Sequence, residues 1–338
     1  MQDQILINTA RSLMAPGKGL LAADESTGTI EKRLSGIDVE STEQTRRAYR
    51  NLLFTAGAEE FISGVILFEE TLFQNADDGR PFPELLAALG MIPGIKVDQG
   101  AKPLAGSPEE KITEGLDGLR ERLVRYREAG ARFAKWRGVI DIAEDRPSDY
   151  CIRVNAHALA RYAALCQEAG IVPIVEPEVL MNAEHSIARC KQVTEAVLDA
   201  VFAELKGQRV LLEGMLLKPN MVVSGKYCPQ QAGIDEVAEA TLQCLNRCVP
   251  AAVPGIVFLS GGQDDEDATA HLDAMNRRGP QPWTLSFSFG RALQTPALKA
   301  WRGQAENAPA AQQAYLRRAR NNSAAARGEY SPDMEGAA

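Results

Sequence analysis

The chain has 338 residues, 45% of them hydrophobic and 24% charged, with a formal net charge of −8. That length can bury the core of one large domain or two small ones, while the acidic balance argues against a nucleic-acid backbone or a membrane surface as main partner, so an anionic ligand must meet a locally basic pocket. No apolar run is long enough to span a bilayer, the first residues lack the apolar core and cleavage site of a secretory signal, and six cysteines without a Cys-x-x-Cys pair read as reduced thiols of a cytoplasmic protein.

Short apolar runs bounded by turn or cap residues predict eight strands, near 19–24, 62–68, 94–99, 131–137, 171–177, 213–219, 255–261 and 283–289, with a helical pattern in each gap. The first strand ends at Asp24 and leads into Ser26-Thr-Gly-Thr29 with Lys32 and Arg33, a hydroxyl-rich basic cluster in which Lys32 reads as a solvated helix residue. Ser41-Thr-Glu-Gln44 opens a helix. The third strand carries Lys96 and Asp98 two residues apart, hence on one face. Ser107-Pro-Glu-Glu110 then predicts a helix with an apolar stripe at Ile112, Leu116, Leu119 and Leu123. The fourth strand pairs Lys135 with Arg137 on one face, and the fifth pairs Glu176 with Glu178. Lys218 ends the sixth strand, Ser260-Gly-Gly262 the seventh and Ser288-Phe-Gly-Arg291 the eighth.

Eight strands alternating with helices predict a closed (β/α)₈ barrel over residues 1–303, including an N-terminal helix. A doubly wound sheet is the runner-up, but Gly17-Lys-Gly19 precedes its strand instead of following one, so no nicotinamide site is expected. Residues 304–338 predict one helix around 309–320 and a mobile polar tail. Cys244 and Cys248, at helical i,i+4 spacing, read as packed thiols and not as metal ligands.

The charged residues share one parity and lie at C-terminal strand ends, where barrels of this kind build their active sites. Such charges could be ion pairs that fasten the strands, yet buried pairs contribute little net stability, and their concentration at one mouth points to catalysis. An amine on an apolar strand is a candidate nucleophile, and crowding by other ammonium groups disfavours the protonated form. Lys218 would attack a ketone and form a cationic imine that drains electrons from a neighbouring carbon–carbon bond. Glu176, with a pKa expected near working pH, suits proton transfer during imine formation, and Asp24 suits the base for cleavage. Glycine-rich and Arg-bearing loops after strands seven and eight form one anion cradle, and the cluster after strand one forms a second. A substrate phosphorylated at both ends follows.

These motifs together resemble the class I, Schiff-base fructose-bisphosphate aldolases. The resemblance runs from Gly19 to Trp301 through Leu20-Leu-Ala-Ala-Asp-Glu-Ser-Thr-Gly28, Gly94-Ile-Lys-Val-Asp98, Phe133-Ala-Lys-Trp-Arg137, Ile174-Val-Glu-Pro-Glu178, Leu216-Leu-Lys-Pro-Asn-Met221, Leu259-Ser-Gly-Gly-Gln263 and Phe287-Ser-Phe-Gly-Arg-Ala-Leu-Gln294. It implies that Lys218 forms the imine, Glu176 is its acid–base residue, Asp24 assists cleavage, and Lys135 and Glu178 complete the network around the amine. Ser260, Gly261, Gly262 and Arg291, with Ser288 and Gly290 in the same turn, resemble the ketone-side phosphate site. Ser26, Thr29 and Lys96 resemble the aldehyde-side site, with Arg33 and Arg137 as further members. The implied reaction is reversible cleavage of fructose 1,6-bisphosphate in glycolysis and gluconeogenesis, by a homotetramer without metal or other cofactor. His157, His185 and His271 lie in or beside predicted helices, so the three-histidine zinc site of the metal-dependent aldolases is not expected. The chain departs from many members in closing on Glu335-Gly-Ala-Ala338 rather than on tyrosine, its last tyrosine being Tyr330. Alternatives are a Schiff-base barrel aldolase acting on a different phosphorylated ketose, and a catalytically silent scaffold.

Overall fold

A computed structural model describes residues 2–336. The apolar runs form eight barrel strands: β1 (Gly19–Ala23), β2 (Ile62–Leu67), β3 (Ile92–Lys96), β4 (Phe133–Ile140), β5 (Val172–Val179), β6 (Leu216–Leu217), β7 (Gly255–Phe258) and β8 (Thr284–Phe289). Neighbours pair in parallel, and the ring closes where β1 meets β8 through Leu20↔Ser288 and Leu21↔Phe289. Every residue of β1, β2, β5 and β7 is buried, as expected for parallel strands covered on both faces. The expected barrel is therefore the observed one, and the doubly wound alternative falls.

Side chains alternate between two cores. One set, including Leu20, Ala22, Ile66, Phe133, Val172, Ile174, Leu216 and Val257, fills the barrel interior. The other, including Leu21, Val65, Ala134, Trp136, Val175, Leu217 and Phe258, packs outward. The covering helices are α1 (Gln2–Leu13), α2 (Thr27–Ser35), α3 (Glu43–Phe54), α4 (Glu69–Leu72), α5 (Phe82–Ala88), α6 (Leu119–Glu128), α7 (Asp149–Glu168), α8 (Ile187–Gly207), α9 (Ile234–Cys248), α10 (Asp265–Arg277), α11 (Arg291–Trp301) and α12 (Ala308–Ala325). None of the described helices is long and apolar enough to cross a membrane.

Helix α1 seals the end of the barrel at which the strands begin. Its Leu6, Ala10 and Leu13, with Met14, join the interior cluster, and Ser63 Oγ donates to the Leu13 carbonyl at 2.6 Å. Glycines admit these side chains: a methyl group on Gly255 would lie 2.4 Å from Met14, and one on Gly94 would lie 2.3 Å from the Phe133 ring. Gly94→Ala is therefore expected to destabilise the fold by about 1–3 kcal/mol through overpacking, read as a lower urea midpoint at unchanged slope.

Four expectations need correction. Residues 107–113 are not helical; Ala101–Leu104 and Ser107–Thr113 form an antiparallel hairpin, and the helix begins only at Leu119. The cap-like Ser-Pro-Glu-Glu is a strand whose buried Glu110 accepts from the backbone N–H and hydroxyl of Ser148, at 2.7 and 2.6 Å. In β6 only Leu216 and Leu217 are ladder residues, because a 3₁₀ turn occupies Leu212–Gly214 and Pro219 has no N–H to donate. The helix near Ser41 is capped by Thr42, whose hydroxyl accepts from Thr45 N–H at 3.1 Å while Thr45 returns the contact to Thr42 N–H at 2.8 Å. Beyond α12, where a mobile tail is expected, the chain lies against α10: Tyr330 is buried and its N–H donates to Asp273 at 2.8 Å. Ala337 and Ala338 lie outside the described residues.

Candidate active site

The interior parity continues upward from the apolar layer into charge. Above Ala22 comes Asp24, above Phe133 come Lys135 and Arg137, above Ile174 come Glu176 and Glu178, and above Leu216 comes Lys218. These groups, with Lys96 from β3 and Ser288 from β8, border one cavity of about 470 Å³ at the C-terminal ends of the strands. All the residues expected at the mouth border it except Asp98, which lines an adjoining cavity with Lys96 and Arg137, and Gly262, which lies beside Arg291: a methyl group on Gly262 would be 3.8 Å from the Arg291 guanidinium.

At the centre is a chain of alternating charge. Lys135 Nζ lies 2.6 Å from Asp24 Oδ2 and 3.2 Å from Glu176 Oε2, and Lys218 Nζ lies 3.1 Å from Glu176 Oε1. Lys135, Glu176 and Lys218 are almost wholly buried. Burial alone would raise the pKa of Asp24, but Lys135 and Lys218 outweigh it and hold the carboxyl well below its ordinary range. Burial likewise opposes ionisation of Glu176, and Lys135, Lys218 and Arg137 overcome it, so its pKa is lowered. Burial pushes the Lys135 ammonium down, while Asp24, Glu176 and Asp98 raise it far above the usual lysine value.

Two sequence expectations are thereby reversed. Glu176 does not titrate near neutrality in the free protein, and Lys135 is not driven toward its neutral form, because each is bonded to the opposite charge. Glu178 pairs with Arg137 rather than with either lysine. Lys96 pairs with Asp98 at 2.7 Å, and Asp98 also accepts from the Arg137 N–H at 3.3 Å.

Two rims flank this centre. On one, Gly261 and Gly262 take φ of +40° and +90°, a region favourable to glycine, so the backbone turns tightly after β7. Arg291 opens α11 immediately after Gly290 and is exposed. Ser288 is buried, and its hydroxyl finds no hydrogen-bond partner among the described residues. On the other rim, Ser26 caps α2 and its hydroxyl lies 3.1 Å from that of Thr29. Both rims thus present a helix N-terminus, which favours anions. Lys32 borders the cavity while remaining solvent-exposed.

Sequence reasoning missed Glu25. Its buried carboxylate accepts from Arg33 and from Gln294 Nε2 at 2.8 Å and forms an ion pair with Arg50 at 2.6 Å, and Gln294 also donates to the Ala22 carbonyl at 2.6 Å. Burial opposes its ionisation, but Arg50 and Arg33 prevail and its pKa falls. Glu25 therefore holds Arg33 at the cavity edge. Its partners come from three distant segments, so only its place beside Asp24 could have drawn notice.

The histidines are dispersed: exposed His157 lies 3.1 Å from Glu204, His185 is in the loop after β5, and His271 Nδ1 lies 2.7 Å from Gln263 Oε1. Burial lowers the His271 pKa to about 4. Among the described residues no group of three His, Cys, Asp or Glu is arranged to hold a metal ion, and all six cysteines are unpaired.

A model of the class-I fructose-bisphosphate aldolases matches residues 5–338. The chain belongs to this family. It is 57% identical over 332 residues to a Xanthomonas campestris protein named "Probable fructose-bisphosphate aldolase class 1", covering 98% of this chain and 99% of the relative. Against fructose-bisphosphate aldolase 1 of Toxoplasma gondii the identity is 55%, with 98% and 92% covered. The Pisum sativum cytoplasmic isozyme 2 is also 55% identical, with 97% and 92% covered. The fructose-bisphosphate aldolase of Plasmodium falciparum, solved with TRAP and a small-molecule inhibitor, superposes with a TM-score of 0.96 at 50% identity, covering 98% of this chain and 96% of that one. Aldolases of this class are carbon–carbon lyases, so the family, the barrel and the reaction class expected from the sequence agree.

Proposed function

We propose that this chain catalyses the reversible cleavage of fructose 1,6-bisphosphate to dihydroxyacetone phosphate and glyceraldehyde 3-phosphate through an imine on Lys218. The observation that carries the reading is the unbroken chain Asp24–Lys135–Glu176–Lys218 beneath a cavity with a basic rim on either side. Lys218 passes a proton to ionised Glu176 at 3.1 Å and its amine attacks the ketone carbon. Glu176 returns that proton to the alkoxide oxygen formed by the attack, takes a second proton from the now cationic nitrogen and gives it to the resulting carbinolamine hydroxyl, which leaves as water, and the cationic imine forms. Asp24, kept ionised by Lys135, accepts the proton of the hydroxyl on the carbon that becomes the aldehyde. The adjacent carbon–carbon bond then breaks, its electrons pass to the imine, and an enamine remains. Protonation of the enamine carbon and hydrolysis release dihydroxyacetone phosphate and restore Lys218.

Ser260, Gly261, Gly262, Ser288, Gly290 and Arg291 take the ketone-side phosphate, supported by the positive-φ turn and the unpartnered Ser288 hydroxyl. Ser26, Thr29 and Lys96 take the other phosphate. Arg33, fixed by Glu25, and Arg137, fixed by Glu178, supply further positive charge. Residues 1–303 form the catalytic barrel and residues 304–338 an appended helix and tail. The chain works in the cytoplasm in glycolysis and gluconeogenesis, a placement supported by a relative named as a cytoplasmic isozyme and by the unpaired cysteines, and as a homotetramer, which rests on the family resemblance alone.

Borohydride reduction in the presence of fructose 1,6-bisphosphate is expected to trap an adduct on Lys218, located by peptide mass spectrometry and formed equally with a chelator present. Absence of an adduct, with cleavage lost to chelator, would sink the imine assignment.

A further inference from the structure

Pro296 sits inside α11. Having no N–H, it leaves the carbonyl of Ala292, four residues earlier, without its helical donor. The donor is supplied from outside the helix. Arg318, on α12 and 2% exposed, gives its Nε–H to Ala292 O at 3.1 Å. The same guanidinium donates through Nη2 to the Asp265 carbonyl at 2.5 Å and to Thr269 Oγ1 at 2.6 Å, in the first turns of α10. Its Nη1 pairs with Glu335, whose carboxylate also accepts the Tyr330 hydroxyl at 3.1 Å. Among the described residues Glu335 is the only carboxylate in an ion pair with Arg318.

One buried cation therefore joins the first turns of two helices to the C-terminal turn, a 3₁₀ turn over Pro332–Glu335. Those helices are the ones that carry the ketone-side cradle: α10 follows directly on Ser260-Gly-Gly-Gln263, and α11 begins with Arg291. A shift of one first turn against the other would separate Arg291 from the Gly261–Gly262 turn. A planar fork holding three acceptors resists that shift, and it stays in place while its counter-ion does.

We propose that Arg318, held by Glu335, is a positioning residue for the ketone-side phosphate cradle, so that the C-terminal turn sets affinity for a phosphate beside the ketone. This rests on the assignment of that cradle to Ser260–Gly262 and Arg291. Borohydride trapping of the full chain tests it with two ketones, dihydroxyacetone phosphate and dihydroxyacetone, which share the carbonyl and differ in the phosphate. Glu335→Ala is expected to raise the half-saturating concentration of dihydroxyacetone phosphate about tenfold, with the saturating trapping rate within about twofold and the trapping of dihydroxyacetone unchanged. Should that variant fold poorly, Tyr330→Phe removes only the hydroxyl that Glu335 accepts and shifts the same constant about two- to threefold. Equal losses for both ketones, or no change for dihydroxyacetone phosphate in a folded variant, would overturn the role. Arg291→Ala separates the two layers of argument: wild-type affinity for dihydroxyacetone phosphate in that variant refutes the cradle assignment itself, whereas weakened affinity there with none in Glu335→Ala refutes only the latch.

Discussion

Lys218→Met is expected to slow cleavage of fructose 1,6-bisphosphate by about 10⁴- to 10⁶-fold, the size of loss seen when a covalent nucleophile is removed. Methionine occupies much of the lysine stem's volume, so the barrel interior stays filled. The neighbouring amine is no substitute. Lys135 is held protonated between Asp24 and Glu176, at 2.6 and 3.2 Å, and an ammonium ion has no electron pair with which to attack a ketone. Steady-state cleavage and borohydride trapping check this together. A variant that keeps a tenth of the activity, or shows its adduct on Lys135, would refute the choice of nucleophile.

Lys135→Met is expected to damage both rate and fold. Turnover should fall by about 10²- to 10⁴-fold, because Asp24 and Glu176 lose the cation that keeps them ready to accept protons. Stability at neutral pH should fall by about 3–5 kcal/mol, since two buried carboxylates lose their shared partner. The sign with pH follows from the directions of shift. Asp24 and Glu176 have lowered pKa values in the folded protein, so their contribution is fully present above the unfolded carboxylate value of about 4 and disappears as pH falls through the folded values. Lys135 has a raised pKa, so its contribution is complete below the unfolded lysine value of about 10.4 and is lost only as pH rises through its folded value. The gap between parent and variant is thus widest at neutral pH and narrows toward pH 4 as the variant's carboxylates take up protons. Urea unfolding at both pH values reads this, and a gap independent of pH would contradict the charge chain.

The barrel was legible because parallel strands buried on both faces are written as short apolar runs, and the mouth was legible because Lys135 and Arg137, like Glu176 and Glu178, obey the two-residue period. What escaped did so for identifiable reasons. The hairpin at residues 101–113 hides its buried face behind Glu110, a charged residue whose partner Ser148 lies far along the chain. Glu25 draws its partners from α2, α3 and α11, and no spacing rule links those positions. The protonation states of Glu176 and Lys135 were misjudged because a strand pattern shows which charges gather but not which ones touch. Crowded ammonium groups suppress one another's charge only when no carboxylate separates them, and here one does.

The floor that α1 lays under the barrel bears on how long the covalent intermediate lives. A cationic imine is destroyed by water, and Leu6, Ala10, Leu13 and Met14 close the lower end with apolar side chains. Hydrolysis must therefore come from above, through the opening that the sugar or its three-carbon remnant occupies. A helix that lends only apolar side chains to the barrel interior thus confines the water released by imine formation and the water consumed by hydrolysis to a single entrance.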